Sequence, residues 1–282
     1  MTYRLLDSGD GRKLESLSGI VIERQAGVAI WRRRDPELWD GVVGRHIRSD
    51  RGGGHWEWEK PQPRNWKVRH GPFDFEIKPT PFGHLGLFPE QVAQWIWLRD
   101  EIRRLAECSA KPPRILNLFA YTGGSTLAAA AGGAEVTHVD AARGIVDWAA
   151  RNARLNNFAD APIRWIVEDC ARFLKREIKR ERHYDGIILD PPTFGRGAKG
   201  EVWKLEDGIG DLLQLLARLT NGQPCLLHMS SHSPGFTPLV LENLILESFE
   251  NNWREHTSGE MSIPEADANR RLPSGIYWRA VR

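Results

Sequence analysis

The segment 114–140 constrains the fold of this chain more than any other. It begins with a short apolar run after Pro112 and Pro113, continues through Gly123 and Gly124 into an alanine-rich run, and closes with a second apolar run that stops at Asp140. Short apolar runs are typical of buried parallel strands, and Ser125 or Thr126 is a suitable cap for the intervening helix. We therefore predict a β-α-β unit with a glycine turn after its first strand and a carboxylate at the tip of its second.

Such a unit suits an adenosine-containing ligand. The glycines let the backbone approach the ligand, and an acidic residue after the second strand can accept hydrogen bonds from ribose hydroxyls. The Gly-x-Gly-x-x-Gly spacing of a pyrophosphate cradle is missing from 121–124, which disfavours a nicotinamide cofactor. S-adenosylmethionine carries no phosphate and tolerates that difference. The alternative is an ordinary β-α-β unit with a tight turn.

Composition narrows the class of protein. With 282 residues, 41% hydrophobic and 27% charged, the chain is expected to be soluble and globular, with one large domain or two smaller ones. No apolar run approaches the ~20 residues of a membrane helix, and we do not expect the first ten residues to act as a signal peptide, since they have no apolar core. Cys108, Cys170 and Cys225 are too far apart in sequence for a Cys-x-x-Cys pair, so we expect neither a disulfide framework nor a metal site, and a cytoplasmic setting.

Residues 1–85 are predicted to form a smaller β-rich domain. Strand-like runs occur at 19–24, 28–32, 56–59 and 73–77. Between positions 41 and 72, three tryptophans alternate with basic residues: Arg45, Arg48, Arg51, Trp56, Trp58, Lys60, Arg64, Trp66, Lys67, Arg69. Basic groups can meet phosphates and aromatic faces can stack on bases, which favours substrate binding. A solvated β surface with tryptophans in the core explains the same pattern.

Residues 86–282 are predicted to form the larger domain. A helix over 89–107 precedes the β-α-β unit. Strands at 163–167, 184–189 and 224–229 then alternate with helices at 142–155, 170–182 and 237–251 and with a helix that ends at Thr220, before the last of these strands. Alternation of this kind indicates a mainly parallel α/β sheet. Two further strands, near 254–262 and 275–281, close the chain as a hairpin and place an antiparallel strand at or near one edge.

Three carboxylates come at the ends of predicted strands. They are Asp140, Asp169 and Asp190. Because the carboxyl ends of parallel strands lie on one side of a sheet, these side chains are expected to share a ligand site, with Asp140 suited to ribose and Asp169 to the adenine amino group. Asp190 opens the sequence Asp-Pro-Pro-Thr-Phe, whose prolines stiffen the backbone and whose Phe194 can stack on a planar substrate. A plain turn is the alternative.

Taken together, these motifs resemble a known family. The segment 117–124, Asp140, Asn152 with Asn156, Asp169 and the segment 189–194 resemble class I S-adenosylmethionine-dependent methyltransferases of the bacterial 23S rRNA type. The domains of that family that make 5-methylcytosine or 7-methylguanosine are the most similar. The resemblance covers about 88–282 and implies a Rossmann-like, seven-stranded, mainly parallel sheet, with ribosomal RNA as the substrate.

The resemblance also implies a cofactor site for S-adenosyl-L-methionine. Contacts with the methionine part of the cofactor are expected near Asn117, Phe119, Tyr121 and Gly123. Phe88 and Gln91 resemble the segment of the family that precedes this domain and closes over the cofactor. The predicted cofactor residues are Phe88, Gln91, Asn117, Phe119, Ala120, Tyr121, Thr122, Gly123, Asp140, Ala141, Asp169, Cys170 and Asp190.

The chemistry predicted for the substrate differs from part of that family. Methylation of cytosine C5 needs a cysteine thiolate, which matching members carry after the fifth strand, whereas this chain has Ser231 and His232 there. Guanine N7 has a free lone pair and needs only positioning. We therefore favour a ring nitrogen, with a catalytic loop made of Asp190, Pro191, Pro192 and Phe194. His232 either helps to position the base or is a surface loop residue.

Two other functions fit the sequence less well. One is methylation of a small molecule or a protein. The basic loop 195–204, with Arg196, Lys199 and Lys204, favours an RNA substrate over these only mildly. The other is a non-catalytic RNA-binding protein that retains the cofactor fold.

Overall fold

The structure, a computed structural model, describes residues 2–49, 52–196 and 202–282, so Arg51 and Lys199 of the two predicted basic segments lie outside the described residues. The chain divides into two compact units. The first contains the chain up to Val92 together with Ser262–Ser274, and the second contains Ala93–Met261 and Gly275–Arg282.

This division differs from the sequence-based boundary at 85, which left 262–274 in the larger domain. The reason is a buried ion network inside the first unit. Arg270 donates to Asp7 at 2.6 Å and to Glu265 at 3.0 Å, and both carboxylates are fully buried. Breaking a network of this kind would leave uncompensated buried charges, so 262–274 is held against the first strand.

The first unit is β-rich, as predicted. Its five-stranded sheet has the order β1-β2-β3-β4-β5, and β6 and β7 form a separate antiparallel pair. The 3-10 turns Pro36–Gly41 and Pro89–Gln91 complete the unit. The strands are β1 Tyr3–Gly9, β2 Arg12–Leu17, β3 Ile20–Gln25, β4 Gly44–Arg48, β5 Gly54–Trp58, β6 Lys67–His70 and β7 Phe73–Glu76.

The sequence-based strand at 28–32 is wrong, and β1 and β2 were not predicted. Residues 28–32 instead form a loop that caps the β1–β2 turn, where Gly11 donates to the Ala29 carbonyl at 2.8 Å. Buried charges hide β2 in the sequence, because Glu15 is fully buried and makes a bidentate pair with Arg24 at 2.6 and 2.7 Å. A charged residue at a core position breaks the alternation by which strands are recognised.

The second unit alternates strands and helices. It begins with helix α1 Val92–Glu107. The elements that follow are β8 Arg114–Leu118, α2 Gly124–Ala131, β9 Glu135–Asp140, α3 Arg143–Leu155, β10 Ile163–Val167, α4 Cys170–Lys179, β11 Gly186–Leu189, β12 Phe194–Arg196, β13 Val202–Lys204, α5 Leu205–Leu219, β14 Leu226–Ser231, α6 Pro238–Ser248, β15 Glu255–Pro264 and β16 Arg271–Val281. Residues 262–264 of β15 and 271–274 of β16 belong to the first unit. The short strands β12 and β13 pair with each other.

The main sheet has seven strands in the order β10-β9-β8-β11-β14-β16-β15. The pairs from β10 to β14 are parallel, and β16 runs antiparallel to β14. This confirms the predicted mainly parallel sheet with a terminal hairpin. Strand order reverses between β8 and β11, which is the point where ligands bind in open α/β sheets.

The core of the second unit lies between the sheet and helices α4, α5 and α6. Fully buried side chains from all three helices meet alternate residues of the strands, among them Leu116, Phe173, Leu213 and Trp278. Because strand residues alternate between faces, Asn117 and His138 point to the other side of the sheet, where they contact Thr126 of α2. The helices thus cover both faces and leave the strand ends for function.

One strand boundary changes the chemistry that the sequence suggested. The fifth strand was predicted over 224–229, but β14 covers Leu226–Ser231, so Cys225 precedes it at the amino-terminal end. Within the described part of the chain, no helix has the length and apolar content needed to cross a membrane.

Candidate functional site

The loop after β8 has an unusual backbone. Phe119 and Tyr121 have φ values of +53° and +49°, and Gly123 has +90°. Only glycine adopts this region without strain, and each of the other two costs roughly 1–3 kcal/mol. Hydrogen bonds hold the loop in place, because Ala120 donates to the Val139 carbonyl at 3.1 Å and Gly123 donates to the Ala120 carbonyl at 3.0 Å. The loop therefore lies at the carboxyl ends of β8 and β9.

Asp140 is the carboxylate that organises this loop. Its Oδ2 accepts from the Tyr121 amide at 3.1 Å, and its Oδ1 accepts from the Ala142 amide at 3.0 Å. Burial raises the pKa of Asp140 above its ordinary value, although the backbone donors, including Ala141, oppose the shift. Each carboxylate oxygen can accept a second hydrogen bond, so Asp140 has the acceptor capacity that two ribose hydroxyls need.

The start of α2 does not use the predicted cap. Gly123 is the N-cap residue, and no side chain caps the helix. The Thr126 hydroxyl instead contacts Asn117 Nδ2 at 2.9 Å and His138 Nδ1 at 2.8 Å. Burial lowers the pKa of His138 to about 3, so the imidazole is neutral. This group holds α2 against the sheet, and Asn117, at 2% exposed, is part of that support.

Helix α3 supports the loop from a second direction. The fully buried Asn152 donates to the Thr122 carbonyl at 2.9 Å. A Cβ atom at Gly123 would lie 3.2 Å from the Ala149 methyl group, so the helix and loop are in close contact. Neither of these supporting contacts was predicted, because helix side chains reach the loop only through tertiary packing.

The end of β10 supplies Asp169 and Cys170. Asp169 is the N-cap of α4, and its Oδ1 accepts from the Arg172 amide at 2.9 Å. Cys170 is 3% exposed, and burial raises the pKa of its thiol well above the ordinary value while the Phe119 backbone contacts it. Asp169, Cys170 and the 119–123 loop are therefore brought to the same edge as Asp140.

Asp190 follows β11 on the other side of the strand-order reversal. Its Oδ1 lies 3.4 Å from His232 Nδ1, and both side chains are 30% exposed. Burial alone would raise the pKa of Asp190, but the His232 imidazole and the Ser230 hydroxyl outweigh that effect and the pKa lies below its ordinary value. Asp190 is therefore a carboxylate at neutral pH, and His232 is beside it.

The rest of the Asp190 loop is tied to its neighbours. Thr193 and Ser233 share a hydrogen bond of 2.7 Å between their hydroxyls, and Trp203 Nε1 donates to the Pro192 carbonyl at 2.8 Å. The Trp203 ring also lies 5.2 Å from the Phe119 ring, so it links the two loops that end β8 and β11. Trp203 was not predicted to take part in the site, since nothing in the surrounding sequence indicates this role.

The remaining predicted site residues fall into two groups. Pro191 is buried and Phe194 is 52% exposed, and their roles in positioning a substrate stay predictions. Phe88 and Gln91 belong to the first unit, where the Phe88 ring lies 5.6 Å from His84 and Gln91 is 4% exposed. Their contact with the cofactor stays a prediction.

Comparison with known proteins identifies the family. The family model described as "S-adenosylmethionine-dependent methyltransferase" matches residues 65–267. A crystal structure of a SAM-dependent methyltransferase from Agrobacterium tumefaciens superimposes with a TM-score of 0.91 and 34% identity, covering 100% of this chain and 90% of that one. The chain therefore belongs to the S-adenosylmethionine-dependent methyltransferases, which confirms the predicted enzyme class, fold and cofactor.

Curated relatives carry a more specific name. Proteins called "Ribosomal RNA large subunit methyltransferase K/L" are 29% identical over 222 residues in Syntrophotalea carbinolica and 30% identical over 231 residues in Magnetococcus marinus. These alignments cover 78% and 80% of this chain but only 27% and 30% of the relatives, so the chain spans less than a third of their length.

The residues present fit S-adenosylmethionine. Asp140 retains acceptor capacity at the strand end, and the 119–123 loop turns its backbone there in a conformation that costs free energy. Strain of this kind persists where the surrounding structure fixes it, which is typical of ligand sites.

Proposed function

We propose that this chain transfers a methyl group from S-adenosylmethionine to a ring nitrogen of a base in large-subunit ribosomal RNA. The names of the curated relatives support an RNA substrate. The observation that carries the proposal is the Asp190 loop at the carboxyl edge of the sheet, in which the Asp190 carboxylate lies beside the His232 imidazole and the exposed ring of Phe194 follows in the same loop.

The chain's own residues have positioning roles in this proposal. When bound, S-adenosylmethionine supplies a methyl group on a positively charged sulfur. Phe194 stacks on the base, and Asp190 accepts a hydrogen bond from an N–H group of the base. Pro191 and Pro192 keep the loop in one conformation because their rings restrict φ. A ring nitrogen that already carries a lone pair then needs only orientation.

The positions of the cysteines support a nitrogen target over cytosine C5. Cys225 precedes β14, so six residues of strand, about 20 Å, separate it from Ser231 at the carboxyl edge. Burial and nearby Asp185 also raise the pKa of its thiol. Cys170 is at the carboxyl edge but is buried with a raised pKa, so neither group is the thiolate that C5 chemistry requires.

The test is methylation of ribosomal RNA by the purified protein with labelled S-adenosylmethionine. Digestion to nucleosides and mass spectrometry should reveal a methylated ring nitrogen. RNA that contains 5-fluorocytosine should leave no protein-linked band on a denaturing gel. Formation of 5-methylcytosine together with such a band, lost on Cys225→Ser, would contradict the nitrogen target. Label found only on protein or a small molecule, or RNA binding without turnover, would favour the other two functions.

We also propose that the first unit contributes to RNA binding. Arg48, Lys60, Arg64 and Lys67 are exposed there, which supports contacts with phosphates. The tryptophans are used in packing, since Trp66 is 5% exposed and Trp56 stacks on Trp58 with ring centroids 5.4 Å apart. Charge rather than base stacking is thus the expected contribution. Lys60→Gln with Lys67→Gln should weaken RNA binding, and unchanged affinity at the same salt would remove these residues from the interface.

A further inference from the structure

The second unit has a cavity of about 480 Å³ at the edge of the sheet opposite the candidate site. The first residues of β8, β9 and β10 line it, so it lies at the amino-terminal ends of the parallel strands. Its polar lining consists mainly of Arg114, Arg164 and Arg182, with Glu135, Thr137 and Tyr184. Nothing in the proposed reaction uses this edge.

A buried carboxylate fixes one of the arginines. Glu177 of α4 is fully buried, and its Oε2 accepts from Arg164 Nη1 at 3.0 Å and from the Tyr184 hydroxyl at 2.8 Å. The Arg164 side chain is still 42% exposed. Because a guanidinium has five N–H donors, Arg164 keeps donors for a ligand while Glu177 holds its orientation.

The guanidinium groups of the other two arginines form no ion pair within the described parts of the chain, although the Arg114 backbone amide donates to Asp185 Oδ2 at 2.8 Å. The Arg114 guanidinium lies 5.4 Å from the centre of the Tyr184 ring, which orients it by a cation–π contact. Arg182 is exposed in the turn after α4. The charge of Arg164 is balanced by Glu177, and Glu135 is the one acidic residue among the described residues that line the cavity. Arg114 and Arg182 therefore leave the lining with a net positive charge.

Helix electrostatics can account for Arg182, which follows the end of α4, but not for the other two arginines. Lys179 and Arg180 lie at the end of α4, where cations interact favourably with the helix dipole. Arg114 and Arg164 are on the strands β8 and β10, where no such benefit exists. Two guanidinium groups that face one cavity and retain unused N–H donors are instead suited to bind an anion. The planar arrangement of those donors matches the oxygens of a phosphate group.

We infer that this cavity binds backbone phosphates of the RNA that carries the target base. The inference rests on the proposed function for the identity of the ligand. Strand β9 runs from Glu135 at the cavity to Asp140 at the candidate site, about 17 Å. The cavity therefore contacts RNA that flanks the target, and it contributes affinity for RNA and not the methyl transfer step.

The test compares RNA binding by Arg182→Gln and Arg254→Gln. Both arginines are exposed and outside any ion pair of the described residues, but Arg254 precedes β15 at the far edge of the sheet. We expect Arg182→Gln to weaken binding several-fold and to reduce the slope of log K against log salt by about 1. The double variant with Arg114→Gln and Arg182→Gln should reduce this salt slope by about 2. It should also raise KM for RNA and leave kcat unchanged.

Equal salt slopes for the wild type, Arg182→Gln and Arg254→Gln would overturn the inference, even if the wild type methylates ribosomal RNA. The proposed function fails separately, through absence of methyl transfer by the wild type, because RNA binding is measured without turnover. Titration with pyrophosphate provides the second measurement. Binding of pyrophosphate that depends on Arg114 and Arg182, without any effect of either on RNA affinity, would assign the cavity to a free phosphate compound and also overturn the RNA assignment.

Discussion

The two edges of the seven-stranded sheet differ in charge and in how that charge is held. At the carboxyl edge, Asp140 and Asp169 accept hydrogen bonds from backbone amides, and Asp190 lies beside His232. At the amino edge, Arg164 is held by the side chain of Glu177. Backbone amides at helix starts stabilise anions, whereas cations need carboxylates or carbonyls. In a sheet of parallel strands joined by helices, the carboxyl edge is thus suited to a cofactor with hydroxyl groups and a positive charge. The amino edge can instead carry arginine side chains.

The largest expected effect is at Asp190. Asp190→Ala should lower kcat/KM at least a hundredfold, since the proposed mechanism then lacks the group that orients the base, and losses of this size follow the removal of one aligned hydrogen-bonding group. Single-turnover methylation of RNA measures it. Cys225→Ser is the matched control and should keep most of the activity. A near-normal rate for Asp190→Ala would mean that the carboxyl edge acts only in cofactor binding.

At Asp140 the expected effect is on cofactor affinity. Asp140→Ala removes a charge-assisted acceptor, each of which contributes roughly 1.5–3 kcal/mol, so affinity for S-adenosylmethionine should fall about tenfold or more in calorimetry. Asp147→Ala, an exposed change on α3, should leave affinity unchanged. Equal affinity of wild type and Asp140→Ala would remove Asp140 from the site.

Glu177 tests whether the amino edge depends on a buried charge. Burial would raise its pKa, but hydrogen bonds from Arg164 and Tyr184 lower the pKa below 4.5. Its contribution to stability is therefore complete above that pH and is lost as the pH falls through the folded-state pKa. Glu177→Gln should cost about 1–3 kcal/mol at pH 7, with the partly exposed arginines taken into account.

Denaturant unfolding at several pH values measures the Glu177 effect. The gap between wild type and Glu177→Gln should shrink as the pH falls below 4.5, where the unfolded-state carboxylate begins to protonate. A gap that stays constant across that range would show that the charge of Glu177 makes no contribution and that only its shape matters.

The smallest expected effects concern helix glycines. A Cβ at Gly124 would lie 2.5 Å from the Trp95 ring, so Gly124→Ala should destabilise the protein by about 1–3 kcal/mol. A Cβ at Gly210 of α5 would meet no described side chain within 4 Å, and Gly210→Ala should stabilise the protein by about 0.5–1 kcal/mol. Thermal unfolding of both variants measures the difference. Similar melting temperatures would indicate that the contact between α1 and the start of α2 yields easily.

Sequence reasoning worked best where local pattern decides structure. The strand 163–167 and the end of the second strand at Asp140 match the structure, because apolar runs between polar turns specify buried parallel strands. It worked least well in the first unit, where Glu15 and Asp7 are buried charges on strands and 28–32 is a loop. Pairing of such charges depends on partners such as Arg24 and Arg270, which are distant in sequence or come from another strand.

By itself the sequence determined the fold class and the three carboxylates at strand ends, since chain direction in a parallel sheet brings those ends to one edge. Only the tertiary structure decided how they are used. The left-handed backbone at Phe119 and Tyr121, the Trp203 contact between two loops and the arginines at the amino edge arise from residues that meet after folding. Contacts between separate elements depend on packing geometry, which no local pattern of residues encodes.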